Sequence, residues 1–123
     1  SCLLSIRTHR FHILLTGDIE AAAEYALLDS GSGLIDVMSV PHHGSNSSST
    51  PALLNSLRPS LAVVSSGFQN RFNHPAPVVL DRYRERSVLT LNTASSGAVE
   101  VLFTAKGYQV IEARISRRRI WRR

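Results

Sequence analysis

Side chains capable of chemistry are concentrated in three short polar segments of this 123-residue chain, at residues 16–18, 41–45 and 65–75. The first segment contributes a carboxylate, and the other two contribute histidines beside hydroxyl and amide groups. Carboxylate oxygens and neutral imidazole nitrogens are ligands for zinc and other transition metals, and imidazole is also a common general acid or base. These residue types therefore indicate metal binding or acid–base chemistry.

The second segment contains two adjacent histidines, His42 and His43, followed by Gly44 and Ser45. In a loop, one imidazole of such a pair can face a metal ion while the other faces a substrate. Gly44 permits close approach of the backbone, and Ser45 offers a hydroxyl donor. The alternative interpretation is a polar loop whose imidazoles form hydrogen bonds with backbone groups.

Two other polar residues each have two interpretations. Asp18 precedes a helical pattern and is suited to cap that helix, and its carboxylate also has enough lone pairs to bind a cation. His74 is either a site residue or a loop residue that packs on Pro75. His9 and His12 lie near a hairpin turn and on a strand, and the sequence assigns them no function.

The apolar pattern predicts the elements that must position these segments. Thr50 followed by Pro51 is typical of a helix start, and the apolar run at residues 61–64 predicts a central strand buried on both faces. Ile19, Ala22, Ala23, Ala26 and Leu27 recur at helical spacing. Strands are predicted at residues 2–7, 11–15, 34–40, 61–64, 88–91, 99–103 and 108–115, with helices after residues 18, 50 and 76. The resulting order, ββαβαβαβββ, predicts a layered α/β sheet.

Composition narrows the classes of protein. Apolar residues make up 43% of the chain, yet no stretch approaches the roughly 20 apolar residues needed to cross a bilayer. The single cysteine, Cys2, excludes an internal disulfide framework. The chain lacks an initiator methionine and a leader pattern. We therefore expect it to be a fragment of a longer protein.

Positive charge is concentrated at the C-terminal end. Six of the 14 basic residues lie in the last ten positions, which leaves eight basic and nine acidic residues in the first 113. Such a segment can contact nucleic acid phosphates or an anionic lipid surface. The alternative is a solvated, flexible end.

Together, the three polar segments resemble the metallo-β-lactamase fold. The sequences that carry the resemblance are ILLTGDIE at residues 13–20, VPHHGS at residues 40–45 with serines at 47–49, and NRFNHP at residues 70–75. They are most similar to the C-terminal hydrolase-like domain of the ComEC family of DNA-uptake (competence) proteins. Residues 1–4 and 93–98 also fit that pattern, and the resemblance extends to about residue 105.

For the fold, the resemblance implies an αβ/βα sandwich of which this chain is the second half. Residues 1–113 would form that half, and residues 114–123 an Arg-rich, flexible tail. Enzymes of this fold carry a His-x-(His/Asp)-x-Asp-His cluster in their first half, and no such cluster occurs in this sequence. The fragment alone is therefore expected to be inactive, because most metal ligands are missing.

For the site, the resemblance implies two divalent metal ions, zinc or manganese. Asp18 matches the carboxylate that bridges them. His43 is favoured as the ligand and His42 as the residue facing phosphate, with their order left open. The remaining assignments place His74 beside His42 as a catalytic residue, and Ser45 and Asn70 in substrate binding.

For function, the resemblance implies hydrolysis of DNA phosphodiesters within a competence protein for DNA uptake. The partners would be single-stranded DNA, the missing N-terminal half and a transmembrane channel. The parent protein would lie in a bacterial inner membrane, with this domain soluble on its periplasmic face. The alternatives are a non-catalytic DNA-binding or channel-supporting module, and another phosphodiesterase of the same fold.

Overall fold

The computed structural model describes residues 2–31, 33–114 and 118–122, the last of these by their backbone alone. The strands are β1 (Leu4–Arg7), β2 (His12–Leu15), β3 (Val37–Ser39), β4 (Leu61–Val64), β5 (Leu89–Asn92), β6 (Val99–Thr104), β7 (Gly107–Glu112) and β8 (Arg118–Arg122). The helices are α1 (Ala21–Asp29), α2 (Pro51–Leu57), α3 (Pro77–Arg84) and α4 (Thr93–Ser96), with a 3₁₀ turn at Pro41–Gly44. This mixed α/β architecture agrees with the predicted fold class.

Two sheets form the framework. The first has the order β1-β2-β3-β4-β5, in which β1 pairs antiparallel with β2 and the remaining neighbours are parallel. The second sheet, β6-β7-β8, is antiparallel throughout. Because β2, β3 and β4 are parallel, the loops that follow them emerge at the same edge of the sheet.

Both faces of the first sheet are covered. Met38 on β3 packs in a core cluster with Leu53 of α2 and Val79 of α3, whereas its neighbour Val37 packs in a second cluster with Tyr108 of β7. Successive residues of a strand point to opposite faces, so β3 contributes to both clusters. The predicted central strand, β4, is nearly all buried, as an apolar run between two covered faces requires.

The predicted cap of the first helix was wrong. Asp18 does not cap α1, because the helix begins at Ala21 with Glu20 at the N-cap position and no side-chain cap. The alanines at positions 22, 23 and 26 are exposed, and the buried residue of α1 is Glu24. Spacing alone did not reveal which face turns inward, since alanine suits either environment.

The end of the chain also differs from the predicted elements. The predicted final strand, residues 108–115, ends at Glu112, and β8 pairs antiparallel with β7. The segment predicted as a flexible tail thus contains a strand at residues 118–122. Its residues 115–117 and 123 lie outside the described residues, and the proposed boundary at residue 113 stays a prediction. Within the described ranges, no helix is long and apolar enough to cross a membrane.

Candidate functional site

The three polar segments meet at one edge of the first sheet. They follow β2, β3 and β4, whose carboxyl ends point the same way. Backbone hydrogen bonds join them: the His42 amide donates to the Gly17 carbonyl at 2.9 Å, and the Ala76 amide donates to the Gly44 carbonyl at 2.9 Å. The parallel topology therefore brings together residues that are more than 50 positions apart in sequence.

His43 lies between two of these segments. Its Nδ1 atom is 2.7 Å from the Ser65 carbonyl oxygen, and its Nε2 atom is 3.4 Å from Asp18 Oδ1. A carbonyl oxygen only accepts hydrogen bonds, so Nδ1 carries a proton and donates it. In the neutral ring, Nε2 then presents a lone pair to a carboxylate oxygen. Two acceptors at this separation are stabilised by a cation between them, either a proton or a metal ion.

His42 faces a different carboxylate. Its Nδ1 atom lies 3.2 Å from Glu20 Oε1, which is within ion-pair distance but not in hydrogen-bond alignment. Its ring centroid is 6.4 Å from that of His43 and 6.2 Å from that of His74. The two adjacent histidines therefore contact separate acidic residues. The His74 ring lies near that of His42.

An unusual backbone conformation separates the two imidazoles. His42 (φ 50°, ψ 44°) and His43 (φ 54°, ψ 21°) are both left-handed. Positive φ is uncommon outside glycine and costs about 1–3 kcal/mol per residue where the surroundings hold it in place. Positive φ also occurs at ordinary turns of this chain, such as Arg58 at the end of α2, and its consequence at His42 and His43 is that the two rings point to different neighbours.

Gly44 allows the histidine loop to contact the third segment. A Cβ atom built on Gly44 would lie 2.5 Å from Pro75 Cβ and 2.8 Å from Pro75 Cα, and φ at this position is +82°. No other residue type fits, both because of the backbone conformation and because of the contact with Pro75. The glycine therefore holds the His42–His43 turn against the segment that carries His74.

We expect Gly44→Ala to lower the free energy of unfolding by about 2 kcal/mol or more, because the added methyl group must displace Pro75. Gly31→Ala is the matched control, since Gly31 also has positive φ (+71°) but has nothing within 4 Å of the built Cβ. Urea denaturation of both variants measures the difference. Equal losses of stability would show that the backbone conformation alone matters.

A cleft of about 300 Å³ opens beside His43. Its lining also includes Asn70 and His74. The Asn70 amide is engaged within its own loop: it donates to the His74 carbonyl at 2.6 Å and accepts from the His74 amide at 2.9 Å. Ser45 is not part of the lining, and its hydroxyl lies 3.0 Å from that of Ser47. The structure thus brings Asp18, His42, His43 and His74 together, with Asn70 shaping the loop and Ser45 further from the cleft.

Sequence reasoning missed several residues around the site. Glu20 received no role, although it stands two positions after Asp18 in the same turn. Phe72 lines the cleft, and the Ser66 amide and carbonyl both form 3.1 Å hydrogen bonds with the Thr93 hydroxyl. The spacing of the two carboxylates was a usable signal for Glu20. The Ser66–Thr93 contact joins the third segment to the start of α4, 27 positions away, and had no such signal.

The described residues supply pairs of candidate ligands rather than a complete set. Within the ranges that the structure covers, no group of three or more His, Cys, Asp or Glu side chains is arranged to hold a metal ion. The candidate pairs are His43 with Asp18 and His42 with Glu20. Any metal ion at this edge would need additional ligands.

A buried carboxylate supports the histidine loop from behind. Glu24 of α1 accepts hydrogen bonds from the Ser49 amide at 2.5 Å, the Thr50 amide at 2.8 Å and the Thr50 hydroxyl at 2.9 Å. The Ser49 hydroxyl lies 2.9 Å from the Tyr83 hydroxyl, and burial raises the pKa of Tyr83 well above its usual range. This network fixes the end of the loop and the start of α2.

Comparison with known proteins identifies several that are similar in sequence to this chain. No family model matches the chain. It is 36% identical to competence protein ComA of Neisseria gonorrhoeae over 102 residues, which are 81% of this chain and 15% of that protein. It is 37% identical to Recombination protein 2 of Haemophilus influenzae over 114 residues, which are 93% of this chain and 14% of that protein.

A third relative is ComE operon protein 3 of Bacillus subtilis, which is 32% identical over 101 residues, or 81% of this chain and 13% of that protein. The chain therefore belongs to the competence, or DNA-uptake, family of these proteins. The chain spans only about 15% of the length of the curated relatives it matches. The similarity therefore concerns one segment of each larger protein.

Proposed function

We propose that this chain is the second half of a metallo-β-lactamase-type αβ/βα sandwich in a DNA-uptake protein, and that the complete domain hydrolyses DNA phosphodiesters with bound divalent metal ions. The names of the relatives support the role in competence. The layering of helices, a largely parallel sheet and a second sheet agrees with such a half-sandwich. The missing first half would supply the remaining ligands.

The contact between His43 and Asp18 is the observation that carries the proposal. Two ligand atoms that each lie about 2.0–2.1 Å from a tetrahedral zinc ion are about 3.4 Å apart, and Nε2 and Oδ1 are separated by 3.4 Å. The other ring nitrogen of a metal-bound histidine commonly donates to a backbone carbonyl, as His43 Nδ1 does to Ser65. The pair therefore fits a metal ion.

Asp18 and His43 would hold metal, with zinc and manganese both compatible with these ligands. When bound, two divalent ions lower the pKa of water and offset charge on a phosphodiester. His42 and His74 would donate hydrogen bonds to a phosphate or leaving-group oxygen. Ser45 and Asn70 are proposed to bind substrate, and of these two residues Asn70 lines the cleft.

A second candidate is a non-catalytic DNA-binding or channel-supporting module. It would be favoured if the missing first half of the domain lacks the His-x-(His/Asp)-x-Asp-His cluster. It would bind phosphates through the Arg-rich segment, with strong dependence on salt. In either case we propose that single-stranded DNA, the N-terminal half of the domain and a transmembrane channel are the partners, on the periplasmic side of a bacterial inner membrane.

Metal titration of a protein that extends over the complete domain tests the proposal. After treatment with EDTA, we expect calorimetry to show uptake of about two Zn²⁺ or Mn²⁺ ions per domain. Hydrolysis of labelled single-stranded DNA should be absent in EDTA and return with metal. DNA binding without metal uptake would instead support the non-catalytic module. Preferential hydrolysis of a chromogenic diester would identify another phosphodiesterase of this fold.

A further inference from the structure

Two large aromatic side chains of the third segment project into solvent, and one of them, Phe72, lines the cleft. Phe68 is 72% exposed and Phe72 is 65% exposed, although both are apolar. An exposed aromatic ring at the edge of a cleft is available for contact with a ligand. We refer to residues 67–74 as the aromatic loop.

Ring contacts connect this loop to the histidine site. The Arg71 guanidinium carbon lies 4.9 Å from the Phe72 ring centroid. Phe72 stacks with His74 at 5.8 Å and an interplanar angle of 28°, and His74 is 6.2 Å from His42. A row of π systems and one cation therefore leads from the exposed loop to the candidate catalytic groups.

Arg71 adds a positive charge that is available to a ligand. Among the residues that the structure describes, no carboxylate forms an ion pair with Arg71. A guanidinium group next to an aromatic ring suits a ligand that combines a flat ring with an anionic oxygen. A nucleotide has both features, because its base stacks and its phosphate is negative.

We propose that the aromatic loop binds an unpaired nucleobase of a single-stranded nucleic acid, with Phe72 and Phe68 as stacking surfaces and Arg71 at the adjoining phosphate. The assignment rests on the proposed function, since it names how that site would take its substrate. Bases in a duplex are already stacked on one another, so exposed aromatic rings select strands whose bases are free. The loop would therefore direct single strands to the histidine site.

Binding measured without metal tests this inference separately from hydrolysis. The probe is a fluorescent single-stranded DNA of about 12 nucleotides, with anisotropy recorded in EDTA. We expect Phe72→Ala to weaken binding about 5- to 150-fold, Phe68→Ala to weaken it less, and Phe72→Trp to retain it. Arg71→Gln should lower the slope of log affinity against log salt by about 0.7.

Tyr25→Ala is the matched control, because Tyr25 is an aromatic residue of α1 that is 53% exposed and does not line the cleft. It should bind as the unsubstituted protein does. A strand of the same length with abasic sites should bind weakly, and Phe72→Ala should not weaken it further. Equal binding by the Phe72 and Tyr25 variants, or equal losses on normal and abasic strands, would overturn the inference.

Two further outcomes separate this inference from its alternatives. If Phe72→Ala lowers binding to phosphatidylglycerol vesicles but not to DNA, the loop contacts lipid and the inference is wrong. If Phe72→Ala weakens DNA binding while no metal-dependent hydrolysis is found, the inference holds and the proposed hydrolase function fails. If hydrolysis depends on Asp18 but DNA binding does not change in Phe72→Ala, the proposed hydrolase function holds and the inference about the aromatic loop is wrong.

Discussion

Replacing Asp18 with alanine, in a protein that extends over the complete domain, is expected to lower metal-dependent hydrolysis of single-stranded DNA more than about 100-fold. Loss of a group that only orients a metal ligand typically costs 10- to 100-fold, and Asp18 is proposed as a ligand itself. The side chain is 60% exposed and does not cap α1, so the fold should not depend on it. Initial rates at saturating Mn²⁺ or Zn²⁺ measure the effect.

Asp29→Ala is the control for this experiment. Asp29 is an exposed carboxylate at the end of α1, so its loss removes the same charge away from the loops. We expect this variant to keep its activity and its metal content, whereas Asp18→Ala should lose metal as well. Circular dichroism should show both variants folded. Retained hydrolysis in Asp18→Ala would reject the role proposed for this carboxylate.

Replacing Glu24 with alanine is expected to lower the free energy of unfolding by about 3–5 kcal/mol. The carboxylate is fully buried and accepts three hydrogen bonds from Ser49 and Thr50. Its removal leaves a buried N–H group at Ser49 and a part-buried one at Thr50 without an acceptor, and an unpaired buried donor costs about 1–3 kcal/mol. Thermal denaturation should show Tm lower by about 10–20 °C.

Glu85→Ala provides the comparison, because the Glu85 side chain is 73% exposed. Its stability should stay within about 0.5 kcal/mol of the parent chain. If Glu24→Ala does not fold, Thr50→Ala tests the same network more gently, since loss of an N-cap hydroxyl costs about 0.5–2 kcal/mol. Glu24→Ala and Glu85→Ala of equal stability would contradict the importance assigned to the buried network.

Features set by neighbouring residues could be predicted from the sequence. The N-terminal hairpin forms where it was predicted, with β1 and β2 paired antiparallel, although all four residues of β1 are exposed and its apolar alternation marks no buried face. The start of α2 follows from Thr50 and Pro51: the threonine hydroxyl accepts from the Leu53 amide at 3.3 Å. Such features depend on local propensity and hydrogen bonding, which short stretches of sequence specify.

Features set by distant contacts could not be predicted. Whether Asp18 caps a helix or faces an imidazole depends on where α1 begins, which is fixed partly by the hydrogen bond from the Ala21 amide to the Ser47 carbonyl. The burial of Glu24 depends on donors from Ser49 and Thr50, the two residues before α2, which are 25 and 26 positions away. For the site, the convergence of the histidine pair with Asp18 was expected from a resemblance and not from local pattern.

The left-handed backbone at His42 and His43 limits which amino acids can replace them. β-Branched residues are strongly disfavoured at positive φ, and alanine also adopts it at a cost. Asparagine tolerates it best among the non-glycine residues. His42→Asn and His43→Asn are therefore the substitutions that remove an imidazole while preserving the turn, and mutational tolerance at these two positions should be narrow even where the chemistry is not under selection.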